Sequence, residues 1–550
     1  MKPQIFLVPE HGPGHGIGHF ARAVAIASRI GERARIYLPA EMEKRRRDSL
    51  CAFAEARGAA GLITDSLPAR EPSADRTRRQ EALVVVDRRR LDGEEVRRLE
   101  RIGHVVGIDA AGPGREACDY LIDILPRVDR GRANVRDLRL LDLHTSARAA
   151  HTEKRRVLVT FGGDDPRGLT QATVTALLGT GHFRAGEIDV LVPALQETGG
   201  SGALAPAPKP GGPTPERREP VAADPAPAVA TSSAAQGTPA GVEVLEGPVD
   251  LPALLGDYSH VVTSFGLTAF EAAWAGAEVL LVNASRYHER LARRAGFKTV
   301  GVGPPREATL ERLLRTGGGA DTVRKRLSGA DSVSLSRLIG DLEAPSLRSC
   351  PACGETSREK AGRFQLRTYF RCSRCGMLYL ESFESERSYG EDYFFEEYRS
   401  QYGRTYLEDA PHIREMGRAR VARILSLAPR VGALLDVGCA YGPFMSAAAE
   451  RGFLVRGLDA SEAAVRYVRE ELGFEAHALL LEDLATGSAR PPGLEDGTYD
   501  VVTMWFVIEH LAGLKTAVAT VRGLLREGGV FAFSTPNAAG ISGRTRFKRF

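Results

Sequence analysis

The sequence predicts an α/β protein built on parallel sheets, and three observations predict it. Short runs of β-branched and other apolar residues alternate with helical stretches along most of the chain. These runs are unbroken rather than alternating in polarity, as expected of strands covered on both faces. Several of them pass through a glycine-rich turn straight into a helix.

The first set of strands lies in a domain expected at 1–150: QIFLVP (4–9), ARIYLP (34–39), ALVVVD (82–87), HVVGID (104–109) and DYLIDI (119–124). A second set lies in a domain expected at 151–342: RVLVTFGG (156–163), EIDVLVPAL (187–195), VEVLEG (242–247), HVVTSFG (260–266), EVLLVN (278–283) and KTVGVG (298–303). Residues 196–241 interrupt it with nine prolines among Gly, Ala, Ser and Thr. Such a composition cannot bury enough apolar surface to order itself. It reads as a disordered surface insertion within one domain, because the strand pattern resumes at once. A cysteine-bearing segment is expected at 346–385. A last α/β domain, expected at 386–550, opens on the aromatic-rich stretch SYGEDYFFEEYRSQYGRTY and resumes strands at 433.

Length and charge narrow the function classes. A chain of 550 residues is too long for one core. Its 74 basic and 70 acidic residues leave a net charge of +4, which gives no argument for nucleic acid. Arginine clusters such as EKRRRD alternate with acids and read as solvated helix faces. No apolar run reaches the roughly 18 residues of a membrane span. The opening MKPQIFLVPEHG is too short an apolar stretch for a signal peptide, so a cytoplasmic location is expected.

Cys350-x2-Cys353 and Cys372-x2-Cys375 stand eighteen residues apart, each pair followed by a glycine, Gly354 and Gly376. Two such knuckles bring four thiolates onto one Zn²⁺, and the glycines permit the tight turns. A closed four-cysteine site leaves no open position for substrate, so the zinc is expected to be structural. The segment is too small to hold together on a core of its own.

ALLDVGCAYGPFMSAAAERG (433–452) reads as strand, glycine-rich turn and helix, and LVRGLDAS places Asp459 at the end of the next strand. This is the arrangement of a Rossmann-like nucleoside site: glycines let the backbone approach the ligand, and an acid accepts from ribose hydroxyls. With LEDL around Asp483, YDVVTMWFVIEHL (499–511) and LREGGVFAFSTPN (525–537), the region resembles class I S-adenosylmethionine-dependent methyltransferases. The resemblance implies that Asp436, Gly438 and Gly442 line the methionine part of S-adenosylmethionine, that Asp459 holds the ribose, and that Asp483 lies near the adenine. His510 would be a substrate-side residue, acting as general base for a hydroxyl or simply packing. The preceding cysteine segment and aromatic helix look like those of methyltransferases in sugar and surface-glycan pathways. That family's sheet gains two strands after the fifth, whereas this sequence stops at RTRFKRF, so an incomplete domain is expected.

Near the start, HGPGHGIGHFARA (11–23) carries three histidines four apart. A tri-histidine metal site would need a helix there, and Gly12, Pro13, Gly14 and Gly16 forbid one. The loop reads either as a tight structural turn or as an anion-binding turn that presents amides and the positive end of a helix. VTFGGDDPRGLT (159–170) and TSFGLTAFEAAWAG (263–276) are comparable turns. Together GIGHFAR (16–22), GGDDP (162–166) and GLTAFE (266–271) resemble a family of glycosyltransferase-B fold. It contains the UDP-sugar hydrolase of pseudaminic acid biosynthesis and related spore-coat polysaccharide proteins. The resemblance implies a nucleotide-sugar donor, UDP-linked, and water or a glycan or sugar acceptor. His19 would be the general base, a role suited to imidazole. Gly16, Gly18, Gly162 and Gly163 would line the substrate, Arg22 would steady its charge or only pair with an acid, Gly266, Leu267 and Thr268 would meet the diphosphate, and Glu271 would accept from the ribose. Where the family has a glutamine, this chain reads NASRYHERLA, with Tyr287 and His288 nearby.

The fold class expected is therefore two Rossmann-like domains of glycosyltransferase-B type, a zinc ribbon and a class I methyltransferase domain. The function expected is a fused enzyme of surface-glycan biosynthesis; the alternatives are a glycosyltransferase with a lipid- or protein-linked acceptor, or a non-catalytic glycan-assembly protein with a degenerate methyltransferase.

Overall fold

The computed structural model describes residues 2–11, 18–68, 82–88, 90–126, 131–141, 143, 156–161, 168–192, 239–246, 251–328, 334–345, 349–383, 398–427, 430–485, 490–511 and 513–540. The proline-rich stretch expected to be disordered lies outside the described residues except for 239–241. The chain divides into two units, Met1–Ala344 and Pro345–Phe550.

The first unit holds two parallel, Rossmann-like sheets. In the first, Ile5–Pro9 (β1), Ala34–Tyr37 (β2), Ile63–Thr64 (β3), Ala82–Asp87 (β4), Gly103–Ile108 (β5), Tyr120–Asp123 (β6) and Val135–Arg136 (β7) run in the order β3-β2-β1-β4-β5-β6-β7. Strands β1, β4, β5 and β6 are buried at every residue, which is why they read as unbroken apolar runs. Val8, Val84, Val86, Val105 and Leu121 pack with Leu91 and Val96 into one core. The helix Gly18–Ile30 crosses from β1 to β2 and buries Phe20, Ala23, Val24, Ile26 and Ala27 along one face. Each large side chain buried this way contributes about 1.5–3 kcal/mol relative to exposure.

The second sheet comprises Val157–Val159 (β8), Ile188–Val192 (β9), Glu243–Glu246 (β10), His260–Thr263 (β11), Glu278–Asn283 (β12) and Thr299–Val302 (β13), in the order β10-β9-β8-β11-β12-β13. All pairings are parallel. The helix Leu335–Asp341 follows this sheet in sequence yet packs on the helix Gly18–Ile30 of the first. Arg29 donates to Ser334 Oγ (3.0 Å), and Arg33 donates to the Gly340 carbonyl (3.0 Å). The chain thus returns from its second sheet to its first.

The second unit opens on an antiparallel three-stranded sheet, Arg358–Phe364 (β14), Arg367–Cys372 (β15) and Leu378–Ser382 (β16). The helix Tyr406–Leu427 then leads into a parallel sheet of Ala433–Val437 (β17), Leu454–Asp459 (β18), Glu475–Ala478 (β19), Tyr499–Trp505 (β20) and Leu525–Ser534 (β21), in the order β19-β18-β17-β20-β21. This is a Rossmann-like sheet. No helix among the described residues is long and apolar enough to cross a membrane.

Candidate functional site

In each parallel sheet the strand order reverses beside its first strand: between β1 and β4, between β8 and β11, and between β17 and β20. Ligands of open α/β sheets bind in the crevice outside the strand C-termini at such a point. The candidate residues gather at these three places.

At β1/β4, Glu10 follows β1, Asp87 ends β4, Asp109 follows β5, and His19 and Arg22 stand in the first turns of the helix Gly18–Ile30. His19 Nδ1 lies 2.8 Å from Asp87 Oδ1, and its Nε2 lies 3.4 Å from Glu10 Oε2. An ionised carboxylate only accepts, so the shorter contact has Nδ1 donating to Asp87. Arg22 reaches Asp87 at 3.3 Å and Asp109 at 3.4 Å. Burial opposes the Arg22 charge, and these two carboxylates more than restore it, so its pKa lies above the ordinary guanidinium value. Asp109 is fixed in turn by the Ile124 and Leu125 N–H groups, at 2.8 and 2.9 Å from its Oδ1. Sequence reasoning found His19 and Arg22 but missed Glu10, Asp87 and Asp109. The signal was present: each is an acid at the C-terminal end of an apolar run. His15 and Gly16 lie outside the described residues. Among the described residues, neither His11 nor His19 joins a group of three ligands suited to a metal.

At β8/β11, Gly266 precedes the helix Leu267–Ala275, so Leu267 and Thr268 form its first turn and Glu271 stands one turn in. Asn283, fully buried at the end of β12, accepts the Phe265 N–H at 3.1 Å and anchors this turn. Gly162 and Gly163 lie outside the described residues. The Cβ atoms that Gly18 and Gly266 lack would stand in open space, so no packing demand fixes either glycine.

In the second unit the four cysteine sulfurs all lie within 4.8 Å of one another. Cys350 Sγ is 3.6 Å from Cys375 Sγ, and Cys353 Sγ is 3.5 Å from Cys372 Sγ. Four sulfurs held about 2.3 Å from a tetrahedral ion stand about 3.8 Å apart, so these donors fit one. Gly354 and Gly376 take φ of +77° and +74°, and their N–H groups return to the Cys350 and Cys372 carbonyls at 2.8 and 3.0 Å. The Cys375 and Arg374 N–H groups draw the Cys372 thiol down to about 6.

At β17/β20, Gly438 and Gly442 take φ of +73°. A Cβ at Gly438 would stand 2.3 Å from Val507 Cγ2, and one at Gly442 would stand 2.6 Å from Leu472 Cδ1. Both positions therefore require glycine on two grounds. Asp436 accepts from Thr503 Oγ1 at 2.6 Å. Burial pushes its carboxyl up to about 7, against the opposing pull of Thr503 and Arg420. Asp459 accepts the Ala440 and Ser461 N–H groups at 2.8 and 2.9 Å, and burial raises its pKa too. Asp483 is exposed, and its carboxylate accepts the Leu480 N–H at 3.1 Å at the start of a single 3₁₀ turn. His510 is exposed, and the protein packed on one side of it, then Arg367, hold its pKa below the ordinary imidazole value. Sequence reasoning missed Tyr406, whose ring meets Tyr398 edge to face and lies tilted against Tyr441 (centroids 5.2 and 6.1 Å) and whose hydroxyl burial drives well above the ordinary range.

Comparisons bear on this last site. Residues 406–549 match the family described as "Methyltransferase domain". The ubiquinone biosynthesis O-methyltransferase of Bordetella avium is 33% identical over 109 residues, 19% of this chain and 42% of that protein. The protein of the same name from Thiobacillus denitrificans is 33% identical over 131 residues, 23% of this chain and 53% of that protein. The chain spans about half the length of these curated relatives. A solved SAM-dependent methyltransferase from Archaeoglobus fulgidus is 22% identical over 25% of this chain and 59% of its own, with a TM-score of 0.21, too slight a likeness to carry an argument. Residues 406–549 form a methyltransferase domain.

Proposed function

We propose that the chain is a fused enzyme of surface-glycan biosynthesis. Its first unit would cleave or transfer from a UDP-linked sugar, and its second would methylate a sugar-related or other small acceptor with S-adenosylmethionine. Residues 1–150 and 151–342 are then two halves of a glycosyltransferase-B-type module, with an insertion at 196–241. Residues 346–385 are a zinc ribbon, and 386–550 the methyltransferase domain. The location is cytoplasmic.

The observation that carries the first half is His19 held by Asp87 at the β1/β4 crevice. Asp87 fixes the tautomer, so Nε2 can take a proton from water or an acceptor hydroxyl as the oxygen attacks the anomeric carbon. The bond to the diphosphate breaks on the opposite face, and the electron pair leaves with the nucleotide. Glu10, beside Nε2, stabilises the imidazolium so formed. Arg22 is committed to Asp87 and Asp109 and braces the dyad rather than the substrate. The open space at Gly18 and Gly266, with the N–H groups of Leu267 and Thr268 at a helix start, suits a diphosphate. Glu271 would accept from the ribose. The return of Leu335–Asp341 to the first sheet supports reading both sheets as one module.

In the second half, bound S-adenosylmethionine supplies the electrophilic methyl group. Gly438 and Gly442 give the loop after β17 its left-handed turns, Asp436 and Asp459 would offer acceptors to the cofactor's amino and ribose ends, and Asp483 lies at the exposed rim. The relatives named O-methyltransferases favour an oxygen acceptor. His510, held largely neutral, can accept its proton, although alignment supplies most of the rate. A structural Zn²⁺ on Cys350, Cys353, Cys372 and Cys375 ties the ribbon. Incubating the protein with a panel of nucleotide sugars, with and without acceptors, tests the first half. Nucleoside diphosphate release that His19→Ala slows by about a hundredfold or more is expected, and release untouched by that substitution sinks it.

A further inference from the structure

Strand β20 ends at Trp505, and the next residue, Phe506, takes φ of +60°. For a non-glycine residue that backbone is unfavourable. It is held there by the Phe506 N–H donating to the Ser534 carbonyl at 3.1 Å. The same side chain is 52% exposed. An aromatic ring kept in water on a strained backbone serves folding on neither count, and such strain persists where a site needs it. Its neighbour Val507 is the residue that a Cβ at Gly438 would strike, so Phe506 adjoins the cofactor loop. The Arg420 guanidinium carbon lies 4.4 Å over the Trp505 ring and 5.9 Å from the Phe506 ring centroid. Its charge is faced by Asp436 and the Tyr406 hydroxyl, both drawn toward their neutral forms by burial.

We propose that Phe506 is the acceptor-facing wall of the methyltransferase site, reading the apolar face of a ring-bearing anion whose negative charge Arg420 receives. This rests on the methyl-transfer reading above and names its acceptor class. A half-exposed aromatic face packs against the C–H face of a sugar ring or the π face of a phenol. A guanidinium stacked on Trp505 keeps its donors directed at a phosphate or carboxylate. Two sources share this chemistry, a sugar phosphate and an aromatic acid, and the test separates them.

The full chain, saturated with S-adenosylhomocysteine, is titrated calorimetrically with glucose 6-phosphate and with 3,4-dihydroxybenzoate. At least one should bind. Phe506→Ala should weaken it about tenfold or more, Phe506→Tyr should restore it, and Arg420→Met should weaken it as well. S-adenosylhomocysteine affinity should stay within about twofold in the Phe506 variants. Phe506→Gly should melt above Phe506→Ala, because only glycine relieves the backbone. Binding of neither probe, binding unchanged by Phe506→Ala, or a parallel loss of S-adenosylhomocysteine affinity overturns the proposal. Failure of the parent chain to bind S-adenosylhomocysteine at all overturns it together with the methyl-transfer reading, which distinguishes the two.

Discussion

Replacing Asp87 with asparagine changes one charge and almost no volume. The hydrogen bond it disturbs joins His19 Nδ1 to Asp87 Oδ1 at 2.8 Å, between side chains only 15% and 7% exposed. Hydrogen bonds to charged groups contribute about 1.5–3 kcal/mol, and the low exposure puts this one toward the upper figure. If Asp87 acts by holding the imidazole, that energy is lost in the transition state, a fall of roughly 10- to 150-fold in kcat/KM. An asparagine can also turn its NH₂ toward Nδ1, which places the proton on Nε2 and removes the base. The assay is nucleoside diphosphate release from a sugar donor that the parent turns over, with thermal melting as a control for folding. The informative variant is the double one. Residues acting as a unit are not additive, so His19→Ala with Asp87→Asn should be no slower than His19→Ala alone. A loss below about threefold for Asp87→Asn, or additive losses in the double variant, would refute the dyad.

Three further outcomes follow from the second unit. Asp436 has its carboxyl raised from 3.8 to about 7, so folding takes up a proton between those values and stability falls as pH rises through that window. Asp436→Asn should therefore be more stable than the parent at pH 8, by about 4 kcal/mol at most. The gain should vanish near pH 3.5, and urea midpoints with equal gains at both pH values contradict the assignment. The full chain should carry about one zinc ion, measured by plasma emission, and Cys375→Ser should lose it with a lower melting point. Zinc-free parent protein with unchanged melting excludes the ribbon. Gly438→Ala combines a φ of +73° with a 2.3 Å contact to Val507 Cγ2. The backbone alone costs about 1–2 kcal/mol, so S-adenosylmethionine should bind at least about fivefold more weakly, and calorimetry giving parent-like affinity refutes the loop.

The long strands were legible because burial on both faces leaves an unmistakable record: ALVVVD and HVVGID have no exposed position to mark with a polar residue. The sheet edges were not. Ile63–Thr64 and Val135–Arg136 are two residues each, too short to carry a period, and exist because a neighbouring strand offers them hydrogen bonds. The docking of Leu335–Asp341 on Gly18–Ile30 is equally hidden, since a helix sequence states which face is apolar but not what covers it. His19 was legible from its loop, while Asp87 stands 68 residues away. It arrives only because the sheet order sets β4 beside β1. Asp483 teaches the reverse: the motif around it was clear, yet its carboxylate closes a local turn.

Strain explains why the remainder escaped. Among the described residues three non-glycine residues take a left-handed backbone, Asp109, Ala440 and Phe506, and each stands just past the C-terminal end of a parallel strand. Each is held by bonds made elsewhere in the chain. Asp109 accepts from Ile124 and Leu125, Ala440 donates to Asp459, and Phe506 donates to Ser534. Aspartate visits this conformation at modest cost, but alanine and phenylalanine forfeit about 1–2 kcal/mol each. At Ala440 and Phe506 local preference contradicts the fold, so no reading of propensity or periodicity can find those two positions. Only tertiary hydrogen bonds fix all three, and they do so beside the β1/β4 and β17/β20 crevices, where a ligand needs a group presented at an angle that an ordinary strand end cannot reach. The same energy that hides such residues from the sequence makes Phe506→Gly against Phe506→Ala a sensitive comparison. A stabilised variant that binds its acceptor no better would mean the strain was kept for the site and not for the fold.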